Sequence, residues 1–207
     1  MMANERKREP GRVFEPFTIG GLFRIVPPGD QSNPDKGLIR LEMAAGAFGS
    51  GEHETTAACL ELLAGLTGPA VGTALDLGCG TGILAIAALK LGATAALCID
   101  NDPDAAATCT NNARLNGVAE RLTCVEGTIA DAPATGHHLV LANIYGDILL
   151  GQAEEIVTRA LPGATLILSG ILHEQAFEVK NCYQRLGCTL RTTRMLSEFC
   201  ALLLERA

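Results

Sequence analysis

A chain of 207 residues, 48% hydrophobic and 19% charged, is long enough to bury one α/β core with a short appendage and too apolar to be extensively disordered. A net charge of −7, no Trp and only 4% aromatic residues argue against a phosphate-backbone partner and against a base-stacking platform. No apolar run approaches the roughly 18 residues of a membrane span.

Residues 1–12 are charged, carry no signal-peptide pattern and are expected to be loose. From Phe14 to Met43 the chain is broken by turns at Gly20-Gly21, Pro27-Pro28-Gly29-Asp30 and Asn33-Pro34-Asp35, and Leu22–Val26 with Leu38–Leu41 are expected to pair as a small hairpin. The expected division is an N-terminal extension over 1–43 and one main domain over 44–207. The spacing predicts a helix over Thr55–Leu66, a strand over Thr73–Leu77, a buried helix over Gly82–Leu91 and a strand over Ala95–Ile99. A helix over Pro103–Asn116 follows, opened by proline and stopped at Asn116-Gly117, then strands over Leu122–Glu126 and His138–Ala142. Beyond them come a helix over Ile148–Leu161 closed by Pro162-Gly163, a strand over Ala164–Ser169 and a helix over His173–Leu186. Thr189–Met195 and Cys200–Leu204 end the chain as an antiparallel pair. Five strands separated by crossover helices imply a mostly parallel sheet covered on both faces, with the hairpin at one edge: a doubly wound, seven-stranded Rossmann-like α/β fold.

The glycine-rich turn Asp76-Leu77-Gly78-Cys79-Gly80-Thr81-Gly82 lies between the first strand of this series and its helix, where glycines let bare backbone approach a ligand. A dinucleotide fingerprint would need glycine at the position of Ile83, which weighs against a nicotinamide-dependent oxidoreductase. A carboxylate at Asp76 would repel a pyrophosphate but can receive an ammonium group, so the turn favours a ligand with a cationic amino-acid end. Asp100, at the tip of the second strand, stands where an acid accepts hydrogen bonds from ribose hydroxyls, while Asp102 caps the helix that begins at Pro103. Thr128 and Ile129, just past the third strand, are placed to border an adenine. Eight cysteines without a C-x-x-C pair read as free thiols of a reducing, cytoplasmic setting that pack as small hydrophobes. With four histidines scattered among them, and His137 and His138 expected to be solvated, no metal site is expected.

Together, Asp76–Gly82, Asp100 and Ala142-Asn143-Ile144-Tyr145 resemble the class I S-adenosylmethionine-dependent methyltransferases. The stretch Ala47-Phe48-Gly49-Ser50-Gly51-Glu52-His53-Glu54-Thr55-Thr56 is similar, more narrowly, to the signature of the methyltransferases that modify large-subunit ribosomal protein eleven. The resemblance runs from about Leu38 to the C-terminus and includes Ser169-Gly170-Ile171-Leu172 and Glu198–Leu203; it departs at Gly46, Ser50 and Phe199, where Met, Thr and Trp are usual. It implies S-adenosylmethionine as cofactor, with the loop Phe48–His53 folding over it, Thr55 or Thr56 at its amino-acid end and His53 as a cofactor or loop contact. In the alternative reading Thr55 or Thr56 simply caps the helix. Asn143 sits where relatives use Asn or Asp before Pro-Pro and an aromatic. Its amide oxygen, with the carbonyl of Ala142 or its own, is expected to orient an acceptor amine with the lone pair toward the methyl group, and a neutral amide suits a deprotonated amine. Asp147 is expected to cap the next helix in its place. The implied activity is N-methylation of lysine or N-terminal amines of a protein, with a ribosomal protein as the acceptor that the resemblance suggests; a small-molecule N-methyltransferase and a non-catalytic cofactor-binding module are the alternatives. The family also carries an N-terminal substrate-recognition domain, whereas about 40 residues precede the match here. A protein acceptor is therefore expected to be held by Phe14–Met43, by the rim Tyr145–Leu150 or by a partner chain, and the ribosomal protein itself is expected to be methylated poorly.

Overall fold

The structure is a computed structural model that describes residues 14–32, 36–44, 51–66, 72–133 and 136–207. It begins with a three-stranded sheet: β1 (Phe17–Ile19) and β2 (Phe23–Val26) are antiparallel, and β3 (Ile39–Glu42) runs parallel to β2. The two segments expected to form a hairpin do pair, but in the same direction. The hairpin is formed one strand earlier, through Gly20 and Gly21, both at positive φ, which a tight reversal needs. Two asparagines of a later helix, α3 (Pro103–Leu115 with Asn116 at its end), hold β3 in place. Asn112 Oδ1 accepts from Ala44 N–H at 2.9 Å, and the Asn116 amide accepts from Glu42 N–H at 3.0 Å and donates to Glu42 C=O at 2.7 Å. Ile19, Phe23, Ile25, Leu41 and Met43 are buried in the same cluster as α1 (Glu54–Ala64) and α2 (Ile83–Lys90).

The main sheet has seven strands: β4 (Thr73–Leu77), β5 (Ala95–Asp100), β6 (Leu122–Glu126), β7 (His137–Asn143), β8 (Ala160–Leu172), β9 (Cys188–Met195) and β10 (Phe199–Arg206). Their order is β6-β5-β4-β7-β8-β10-β9, and within the main sheet only β10 runs against its neighbours. Apolar residues of α1, α2 and α3 fill one face, while α4 (Gly146–Gly151), α5 (Ala153–Arg159) and α6 (Ala176–Arg185) fill the other. The doubly wound sheet with its antiparallel edge pair is the expected fold. No helix among the described residues is long and apolar enough to cross a membrane.

Three local expectations are corrected. The single helix over 148–161 is two, parted at Gln152, and Pro162-Gly163 lie inside β8 instead of closing a helix. Proline is tolerated there because the ladder with β7 is irregular: Ala160 faces His137 and Thr165 faces Leu139, so the bulge absorbs the missing N–H and Gly163 takes φ +77°. Asp147 is not a cap, since α4 already starts at Gly146; it stands in the first turn, where a carboxylate complements the helix dipole. His137, expected to be solvated, is buried within β7, whereas His138 is exposed and takes the Thr73 N–H at 3.2 Å.

Candidate cofactor and transfer site

The chain builds β4, β5 and β6 outward in one direction and then returns to lay β7 against the other side of β4. That reversal opens a crevice at the carboxyl ends of β4 and β7, the place where open α/β sheets bind ligands. The glycine-rich turn follows β4 and Asn143 ends β7, so the sequence delivers both candidates to this point.

Gly78, Gly80 and Gly82 all have positive φ, at +64°, +52° and +77°. Gly78 and Cys79 N–H donate to Ile99 C=O at 2.8 and 3.2 Å, and Gly80 N–H donates to Asp100 Oδ2 at 2.8 Å. A Cβ on Gly78 would overlap Ile144 Cγ2, and one on Gly82 would meet Cys109 Sγ at 2.5 Å. Asp100 thus spans the turn and its own loop, since its Oδ1 also accepts from Asp102 N–H at 3.0 Å; each oxygen retains a further lone pair. Asp102 caps α3 as expected, through Asp104 N–H at 2.9 Å. The Asp76 side chain is 1% exposed and accepts from Ala85 N–H at 3.1 Å in the first turn of α2. Burial pushes its carboxyl well above the usual carboxylate range, the buried Cys109 adding to this. In this position Asp76 anchors the start of α2.

Thr128 lies in the loop after β6, with Gly127 N–H donating to Asp100 C=O at 2.8 Å. Asp131 reaches back to Thr128 N–H at 2.8 Å, a capping box that fixes this loop and holds the Asp131 carboxyl below its ordinary range; Ile129 is buried beneath.

On the other side of the crevice, α1 begins with His53 as its cap, not Thr55 or Thr56. The His53 ring accepts from Thr55 N–H at 3.3 Å, lies 2.8 Å from Thr55 Oγ1, and meets Phe199 edge-on at 5.8 Å between ring centres. Thr55 and Thr56 are both buried. Thr56 Oγ1 accepts from Asn143 Nδ2 at 3.2 Å, which fixes the amide with its oxygen as the remaining acceptor. Phe48, expected to fold over the cofactor, lies outside the described residues.

Residues the sequence reading did not assign a role complete the arrangement. Ser169, buried beside Asn143 in the β7–β8 ladder, sends its hydroxyl toward Thr55 C=O at 3.5 Å. Gly170, at φ +79°, lets β8 pass Ile144, whose carbonyl oxygen would lie 2.5 Å from any Cβ there. Glu54 takes the Ser197 hydroxyl at 2.7 Å and its N–H at 3.0 Å, pinning the β9–β10 turn to the start of α1. Ser169-Gly170 and Glu198–Phe199 belong to the stretches that carry the resemblance, and these contacts give them a structural reason. The cysteines expected to be scattered also meet: the sulfurs of Cys79, Cys109 and Cys124 all lie within 4.8 Å of one another. The neighbouring thiols hold Cys109 below the ordinary thiol range, and its proximity pushes Cys124 up to about 12.

The model of the family described as ribosomal protein L11 methyltransferase (PrmA) matches residues 4–207. The chain belongs to this family. Curated members named ribosomal protein L11 methyltransferase are 44% identical over 187 residues in Xylella fastidiosa (strain 9a5c), covering 84% of this chain, and 42% identical over 174 residues in Trichlorobacter lovleyi, covering 81%. The chain spans about three-fifths of the length of these curated relatives, 60% and 57% respectively. Among solved structures, a family member described as a ribosomal protein L11 methylase, from Lactobacillus delbrueckii subsp. bulgaricus, superposes with a TM-score of 0.83 at 25% identity, over 94% of this chain and 99% of its own.

Proposed function

We propose that this chain uses S-adenosylmethionine to methylate amino groups, on lysine or at an N-terminus, of a protein. The main unit would be 44–207, with 1–43 as an extension. The crevice suits the cofactor by its chemistry: three glycines offer bare backbone at positive φ, and an acid at the β5 tip has lone pairs left for two ribose hydroxyls. Bound there, the cofactor would supply a methyl group on a sulfonium, open to in-line displacement. Thr128 and Ile129 would border the adenine, and Gly78, Gly80 and the α1 start with His53, Thr55 and Thr56 would enclose the amino-acid end, with Phe48 above them. Asp76 would act from below, by fixing the start of α2.

The observation that carries the reading is the Asn143 amide, held by a buried threonine at the end of β7, next to the strand that leads into the glycine turn. With Nδ2 engaged by Thr56, Oδ1 can accept an N–H from the acceptor amine and turn its lone pair toward the crevice. A neutral amide does this without stabilising an ammonium ion, and positioning supplies most of the rate. Exposed Tyr145 and Ile148 on the rim, beside exposed Leu172 and Phe177, supply apolar surface for a protein acceptor. The relatives' names point to a large-subunit ribosomal protein. Incubating the chain with radiolabelled S-adenosylmethionine and purified ribosomal protein L11, in parallel with a fractionated lysate, tests this. Label on amino groups of a protein is expected; label confined to small molecules, or none, would refute it.

A further inference from the structure

Cys79 belongs to the glycine turn, Cys109 to α3 and Cys124 to β6, three separate elements that bring their thiols to one place. Cys98 lies directly opposite Cys124 in the parallel β5–β6 ladder, so the two share a face. The sulfurs of Cys79 and Cys124 are 3.8 Å apart, and with Cys109 all three lie within 4.8 Å of one another, a group that does not include Cys98. No other group of this kind occurs among the described residues.

A tetrahedral zinc ion with bonds to sulfur of about 2.3 Å has sulfur–sulfur edges of about 3.8 Å. The spacing found here is that of such a tetrahedron, or within about 1 Å of it. We propose that Cys79, Cys109 and Cys124 form a binding site for one zinc ion. All-sulfur protein donor sets select zinc and other soft cations over magnesium or calcium, and three protein thiolates leave the fourth position of the tetrahedron to a water molecule. Each coordinated thiol gives up its proton to solvent. Cys79 and Cys109 are buried while Cys124 is half-buried. Occupied, the site would tie the glycine turn to β6 and α3 at once. If the three thiols were only core filler, they would pack as small hydrophobes and bind nothing.

The test uses the full chain, purified with reductant, stripped of metal and then titrated with Zn2+ against a chromophoric chelator and separately with Co2+. One equivalent of each is expected, Co2+ giving the charge-transfer and visible bands of a tetrahedral thiolate complex. Zinc-edge X-ray absorption of the wild-type chain should show a first shell of three sulfurs and one oxygen, and zinc should protect three of the eight cysteines from a thiol reagent. Cys109→Ser and Cys124→Ser should each weaken binding by at least about 100-fold, the upper end of what loss of an outer partner does; Cys182→Ser, outside the cluster, should not. A folded wild-type chain that takes up no metal, a first shell without sulfur, or a Cys79–Cys124 disulfide in its place would overturn the proposal. None of these readings depends on the cofactor or on methyl transfer.

Discussion

Gly78 is where the two halves of the crevice touch, and Gly78→Ala measures that contact. The substitution carries two separate penalties. At φ +64° an L-residue costs about 1–2 kcal/mol, because its Cβ crowds its own carbonyl. The new Cβ also overlaps Ile144 Cγ2, a methyl attached directly to a β-branched carbon that moves only by rotation about χ1; overpacking of this kind costs about 1–3 kcal/mol. The sum is a loss of about 2–5 kcal/mol in unfolding free energy, measurable by urea denaturation. Only the second part depends on Ile144. In the double variant Gly78→Ala/Ile144→Ala the overlap is gone and the backbone cost stays, so the two changes should be non-additive by about 1–3 kcal/mol in the favourable direction. Additive losses would show that the β4 turn and the β7 end are not in contact, and the account of the crevice would fall with them.

Other consequences follow from the same geometry. Asp100→Ala should weaken binding of S-adenosylhomocysteine by about 1.5–3 kcal/mol for each ribose hydrogen bond lost, read by calorimetry; unchanged affinity would remove Asp100 from the site. Asn143→Ala should leave cofactor affinity nearly intact and lower the rate of methyl transfer by about 10²–10³-fold, by analogy with loss of one oriented donor; loss of cofactor binding would move Asn143 to the other side of the reaction. His137 sits in β7 with neither ring nitrogen hydrogen-bonded among the described residues, and burial lowers its pKa below the ordinary histidine value. The folded chain then binds fewer protons here than the unfolded one, so stability is fully present above the unfolded pKa of about 6.5 and declines as pH falls below it. His137→Leu should flatten that decline in denaturation curves taken at stepped pH, and an unaltered slope would mean another group is responsible.

The sheet was largely legible because its strands are short apolar runs with strong punctuation. Thr73–Leu77 ends at a glycine and Leu122–Glu126 lies between a turn and Gly127, and both occupy the residues expected. Direction of pairing was not legible in the N-terminal sheet, since β3 is held by Asn112 and Asn116, about seventy residues away in a helix. The break at Gln152 has no glycine or proline at its own position, and Pro162-Gly163 read as a helix stop because a bulge opposite His137 cannot be seen locally. In the site, the glycine turn, the Asp102 cap and the place of Asn143 at a strand tip came through. Two things did not. His53 caps α1, a place that only the alternative reading gave to a threonine, and the Asp76 side chain is buried, because a strand-end side chain can lie above or beneath the turn that follows it. The cysteine cluster was invisible for a plainer reason: its members are far apart in sequence, and only the packing of α3 and β6 beside the glycine turn brings them together.

The position of β10 between β8 and β9 has a consequence for the order in which the molecule can be made. A ribosome delivers β8 first, then β9, then β10, yet β9 attaches to the sheet only through β10. Until residues 199–206 emerge, β8 keeps one long row of unpaired backbone groups, the kind of exposed edge that recruits stray strands. The pin between Glu54 and Ser197 is missing over the same interval, so the start of α1, with His53 and both threonines, waits for the last hairpin as well. Maturation of this crevice thus waits until residues 199–206 have left the ribosome.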